Sequence, residues 1–227
     1  MKRRRVFEPF AVKAALYLLG FLITGAGVVM LLRTQHAGPW DAVSYNLHRF
    51  VRSFFWAGYT VGMGSFTING LIMLMVVLAR KKWRFLFMVV PIGGISLSID
   101  LWNVIIPLAR LQELGIMGTS LLYVAGTFVL TLGLATIVVS GYPAMVFEEM
   151  MLLLMDVFKI HSVFAVRLGM ELFAILLAIL LGTLAGVGFG AVGLGSLLLA
   201  LLIAPILDLQ LRWMKGVIYE TNNEKTA

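Results

Sequence analysis

The chain contains no cysteine. Disulfides, thiolate metal sites and a cysteine nucleophile are therefore excluded. Charge is scarce too, at 13% of 227 residues, where a soluble domain carries about 25%. The three histidines, His36, His48 and His161, fall on connections between apolar runs, and none stands four residues from a second metal ligand. Gly64-Ser65 and Gly195-Ser196 have no histidine at membrane depth to act as base, so serine hydrolysis has no assembled machinery. Glu148 and Glu149 are adjacent, point different ways on a helix and suit a solvated face. The expectation is a protein that is not an enzyme and needs no cofactor or metal.

What is present is apolar surface, 61% of the residues. A helix crossing about 30 Å of hydrocarbon needs about 20 apolar residues. Six runs qualify: Ala14–Leu32, Phe54–Ala79, Phe85–Leu108, Gly118–Val139, Ser162–Ala185 and Ala191–Trp213. The first follows a basic start, but it exceeds the roughly 7–15 residues of a signal core, so it is read as a retained span. The second is long enough to tilt. Trp56, Trp83, Trp102 and Trp213 fall near span ends, where indole rings favour the interface.

The net charge of +7 is distributed beside the spans, at Lys2-Arg3-Arg4-Arg5 and Arg80-Lys81-Lys82, which points to topology and anionic lipid rather than nucleic acid. Lys13, Arg84, Lys159, Arg212, Lys215 and Lys225 fall on the same side as those clusters. Arg33, Arg49, Arg52 and Arg110 fall on the other. This bias places both termini of a multi-pass membrane protein in the cytoplasm.

The halves align. An offset of 106 pairs Leu16-Tyr17 with Leu122-Tyr123, Gly20 with Gly126 and Gly27 with Gly133. An offset of 107 pairs Trp40-Asp41 with Phe147-Glu148, and 108 pairs Asp100-Leu101 with Asp208-Leu209. Three spans per copy is an odd number, so the second copy must be upside down, as in many transporters with a midplane site. The predicted fold is an all-α membrane domain of six transmembrane helices in two inverted repeats, about 10–108 and 116–213, with a short tail over 214–227. Each repeat carries a short segment, Gly38–Arg52 and Pro143–Phe158, either lying on the surface or re-entrant. The re-entrant reading aims helix amino ends at a cavity.

These residues resemble the YczE/YitT-like group of bacterial integral membrane proteins. The group's Gly-Pro-Trp-Asp motif after the first span is Gly38-Pro39-Trp40-Asp41. Its glycine-rich opening and Asp-Leu ending are Gly193-Leu194-Gly195-Ser196 and Ile203-Ala204-Pro205-Ile206-Leu207-Asp208. The resemblance covers about residues 16 to 213. Where the group repeats Gly-Pro-x-Asp in its second half, this chain has Met145-Val146-Phe147-Glu148, keeping an acid. The resemblance implies a transporter-like architecture and a place in the bacterial inner membrane.

Few polar groups lie at depth. Arg167 and Glu171 stand at i and i+4 on one helical face, and a lone charge there costs at least about 2.5 kcal/mol. Arg167 can snorkel. Glu171 lies about 13 Å in, by helical rise, and is either neutral or paired with Arg167. Asp100 has no basic residue one turn away, whereas Asp208 has Arg212 at i+4 and reads as a helix-end ion pair. Asn69 suits helix–helix hydrogen bonding. Gly58-x-x-x-Gly62 and Gly182-x-x-x-Gly186 suit close helix approach, and Gly188-x-Gly-x-x-Gly193 is a chance match to a dinucleotide fingerprint.

The leading expectation is a secondary transporter or permease for a small polar or anionic solute, proton-coupled through Glu171. Arg167 would contact an anion or balance charge, Asp100 would gate or couple, and Asn69 would line the site. Trp40, Asp41 and Glu148 would form the mouth. The alternative is a non-transporting accessory protein for a partner complex or a lipid-linked process. Membrane lipids and the solute are the expected partners, and a homodimer is compatible.

Overall fold

The computed structural model describes residues 10–106, 115–142 and 146–223, with side chains as far as Met214. Arg110, the amino-terminal Lys2–Arg5 cluster, Met145, Lys215 and Lys225 lie outside the described side chains. Among the described residues eight α-helices follow in order: α1 (Phe10–Arg33), α2 (Pro39–Phe54), α3 (Val61–Arg80), α4 (Val89–Ile105), α5 (Gly115–Ser140), α6 (Val146–Phe158), α7 (Val163–Leu184) and α8 (Leu194–Asn223). A 3-10 turn, Trp83–Met88, leads into α4. Six segments among the described residues are long and apolar enough to cross a membrane, and α2 and α6 are the two short helices between them. The chain is a multi-span helical membrane protein.

The second span begins later than its hydropathy suggests. Phe54 ends α2, and the exposed Phe55 and Trp56 start the turn that leads to Val61. An aromatic turn extends an apolar run without extending its helix, so the excess length that suggested tilt belongs to another element.

The long helices pack through glycines. α1 and α5 cross in opposite directions: Gly20 meets Ile137 and Gly133, Gly27 meets the Leu130 backbone, Gly133 meets Thr24, and Gly126 meets Met30 and Leu31. A Cβ at Gly27 or Gly133 would run into the facing backbone, the close approach that small residues permit in a bilayer. α1 also packs along α4, where the Trp102 indole donates to the Leu22 carbonyl at 2.9 Å. α8 repeats this toward α5, where Gln210 donates to the Phe128 carbonyl at 3.1 Å.

The short helices are tucked between spans. α2 packs on α3 and α7, with Ala42, Val43 and Asn46 fully buried. Asn46 Nδ2 donates to the carbonyls of Ala178 (2.7 Å) and Phe189 (3.1 Å), while its Oδ1 accepts from Ala191 N at 3.3 Å. α6 packs on α3 and α7, and Asp156 near its end pairs with Arg80.

Two glycine readings from the sequence change. Gly58 and Gly186 lie in turns, outside any helix, so neither spaced pair forms a helical face. Gly62 and Gly182 do make close contacts, but to Ser96 and Asp100, and to Gly188 and Asn46, of this same chain. The Gly188–Gly193 run turns the chain between α7 and α8; Gly188 and Gly190 hold positive φ, and a side chain on Gly190 would strike Asn46.

Candidate functional site

A cavity of about 100 Å³ lies where the amino ends of α2 and α6 approach each other. Trp40 and Phe147, one from each short helix, meet there with ring centroids 5.2 Å apart. Proline at the start of α2 suits the first helical turn, where its missing N–H costs nothing. The chain before it is anchored by Ala37 N donating to the Ala191 carbonyl at 3.2 Å. Thr24 and Val28 of α1, Leu130 and Leu134 of α5, and Ile95 and Ile203 of α4 and α8 supply apolar or weakly polar wall.

Apart from the Thr24 hydroxyl, the polar lining comes from four helices. Asp41 stands in the first turn of α2 and Glu148 in that of α6. Ser65 and Asn69 come from α3, Arg167 and Glu171 from α7. Thr60 caps α3 by accepting from Met63 N at 3.1 Å, and Ser162 caps α7 by accepting from Ala165 N at 3.2 Å. Ser65 and Asn69 therefore stand in the same register from their cap as Arg167 and Glu171 from theirs. By helical rise, Asn69 and Glu171 each lie about 12–14 Å into their helix, close to mid-depth.

Arg167 Nη2 lies 3.9 Å from Glu171 Oε1, and the glutamate side chain is the better buried of the two. This loose pair realises one of the two sequence readings of Glu171. Asn69 Nδ2 donates to the Ser65 carbonyl at 2.8 Å. Four lining residues nevertheless each hold a buried polar atom without a hydrogen-bond partner: Thr24 Oγ1, Trp40 Nε1, Asn69 Oδ1 and Arg167 Nε. Such groups cost free energy when dry and unpaired, so they mark where a polar ligand gains most.

Asp41 faces the cavity, with protein closing around the rest of it. Burial, and after it the charge of Glu171, raises the Asp41 carboxyl to about pKa 7. Gly38 sits against this carboxylate; a Cβ there would lie 2.8 Å from Asp41 Oδ2.

The cavity gathers most of the residues singled out in the sequence. Glu171, Arg167, Asn69, Trp40, Asp41 and Glu148 all line it. Trp40 and Asp41 sit inside it, at the start of α2. Asp100 is held elsewhere: its carboxylate accepts from Thr60 Oγ1 (2.6 Å) and Gly62 N (2.7 Å), bridging α4 to the start of α3. An acid at a helix amino end, satisfied by two donors, is a cap. Asp208 pairs with Arg212 at 2.8 Å, and both side chains are exposed. Sequence reading passed over Thr24 and Ser65 as cavity residues. The one available signal was Ser65 at i−4 from Asn69.

A profile for a family of unknown function, DUF6198, matches residues 11–212. The chain belongs to the DUF6198 family. It is also 27% identical over 206 residues to a protein described as uncharacterized membrane protein YczE from Bacillus subtilis (strain 168), covering 90% of this chain and 87% of that protein. No solved structure matches. The DUF6198 match includes every residue that lines the cavity.

Proposed function

We propose that the chain is a secondary transporter that moves a small polar solute through this cavity, between two oppositely oriented copies of one three-span unit. The observation that carries the reading is that the cavity wall comes in pairs. The offset of 106 relates Thr24 to Leu130 and Val28 to Leu134; 107 relates Pro39, Trp40 and Asp41 to Val146, Phe147 and Glu148; 108 relates Ile95 to Ile203. Counting from the helix caps relates Ser65 and Asn69 to Arg167 and Glu171.

Contacts repeat as well. Exchanging the copies turns Gly27 against Leu130 into Gly133 against Thr24, and Trp102 on Leu22 into Gln210 on Phe128. A pseudo-twofold axis through a polar cavity offers two equivalent ways to open, one to each face, which is the geometric requirement of alternating access. The copies differ most in polarity at the α3 and α7 positions. Ser65 and Asn69 are neutral where Arg167 and Glu171 are charged, so α7 carries most of the charge asymmetry between the copies.

The test is flux in reconstituted vesicles loaded with a pH-sensitive dye and challenged with a panel of small amines, carboxylates and amides. Protein-dependent, solute-specific flux is expected, with Glu171→Gln lowering proton-linked flux at least tenfold. Absence of protein-dependent flux for the whole panel, with correctly folded protein, overturns the reading.

A further inference from the structure

The charges around the cavity are unequal. Asp41 on α2, Glu148 on α6 and Glu171 on α7 face one base, Arg167 on α7; α1, α3, α4, α5 and α8 bring no ionisable side chain to the wall. Arg167 is already engaged, loosely, by Glu171. Asp41 has no cationic partner within ion-pair distance, and the protein packed around it makes an isolated charge costly. Either a proton or a bound cation can relieve it.

We propose that the cavity binds a small amine cation, and that this cation and a proton occupy Asp41 in competition. The proposal deepens the transport reading by naming the class of solute, and rests on it only for the word transport. Four observations limit the class. Among the described residues, no three acids or histidines converge as a metal-ligand set, which leaves a singly charged cation as the better match to the one unpaired carboxylate. The paired Trp40 and Phe147 rings border the site, and aromatic faces attract alkylammonium groups. Asn69 Oδ1 and Thr24 Oγ1 are free to accept from an ammonium, while Trp40 Nε1 and Arg167 Nε are free to donate. An amine that also carries an oxygen acceptor meets both kinds. The volume of about 100 Å³ is below the roughly 150 Å³ that accommodates benzene, which sets the size at about four or five non-hydrogen atoms.

The exchange balances. The protonated Asp41 carboxyl and a free ammonium ion become a carboxylate–ammonium pair and one released proton. No bond to carbon or nitrogen breaks, and the amine keeps all of its own protons. Because Asp41 holds its proton up to about pH 7, affinity for the amine weakens by up to about tenfold for each pH unit below that value. Amine on one side of the membrane and protons on the other would then move in opposite directions.

The experiment uses the full-length protein in detergent, in weakly buffered solution with an indicator dye. Methylammonium and ethanolamine hydrochlorides are compared with sodium acetate, sodium glycolate and acetamide, and thermal shifts are recorded in parallel. The expected result at pH 6 is a thermal shift and proton release of up to one per chain with the amines. The carboxylates should give neither effect. Asp41→Asn should abolish the release, while Asp208→Asn, in an exposed ion pair outside the cavity, should leave it unchanged.

Proton uptake with acetate or glycolate, or stabilisation by acetamide equal to that by the amines, overturns the proposal, as does binding of amines without proton release. Should Asp41→Asn fail to fold, the sign of exchange in the wild type decides alone. Amine binding without flux in vesicles removes the transport reading and leaves this one standing. Flux of a carboxylate does the reverse.

Discussion

Asn46 has no accessible surface and satisfies three backbone groups that no other described side chain reaches. Its amide ties α2 to α7 and to the turn after it, so it fixes how far the amino end of α2 projects into the cavity. Truncation leaves the Ala191 N–H without its acceptor and strips the Asn46 donor from the carbonyls of Ala178, inside α7, and Phe189, which then keeps only its bond from Val192 N. Asn46→Ala is expected to destabilise the protein by about 2–4 kcal/mol, read as a loss of thermal stability in detergent. Leucine, which is larger still and apolar, should do worse. Asparagine carries no such signal in sequence, because its partners lie 132 to 145 positions away.

At the scale of the element, the six spans were legible because a membrane helix announces itself by length and hydropathy. The inward-facing side of each was not. Lipid and protein core are both apolar, so a span has little amphipathic bias to betray its orientation, and a hydroxyl such as Thr24 or Ser65 can as easily bond back to its own helix. Charge was more informative. Arg167 and Glu171 are too costly at depth to face lipid, and both line the cavity.

Asp100 shows where that logic fails, since its cost is met by donors at the start of a different helix. The cap makes a separable prediction. Asp100→Asn and Thr60→Ala should each lower stability by about 1 kcal/mol, the usual value of a helix cap, and leave solute-induced proton release intact. Loss of proton release in either variant, at unchanged folding, would return Asp100 to the site.

For the whole molecule, the α1–α5 crossing sets the width of the cavity, because Thr24, Val28, Leu130 and Leu134 belong both to that crossing and to the wall. Gly27 and Gly133 stand one turn apart along it, each against the backbone of the other helix. Adding a methyl group to either must push the helices apart, and packed interiors resist this at about 1–3 kcal/mol. Gly27→Ala and Gly133→Ala should therefore cost similar amounts, since each new Cβ would run equally close to a backbone nitrogen of the facing helix, Leu130 N or Thr24 N. Gly70→Ala and Gly169→Ala, inside α3 and α7 with nothing within 4 Å of the new Cβ, should melt at or slightly above the wild-type temperature. The double variant Gly27→Ala/Gly133→Ala discriminates further. If the crossing moves as one unit, the first separation makes room for the second methyl, and the double variant costs clearly less than the sum. Additive losses would mean that each contact yields locally, and the two helices would then not act as a single hinge around the cavity.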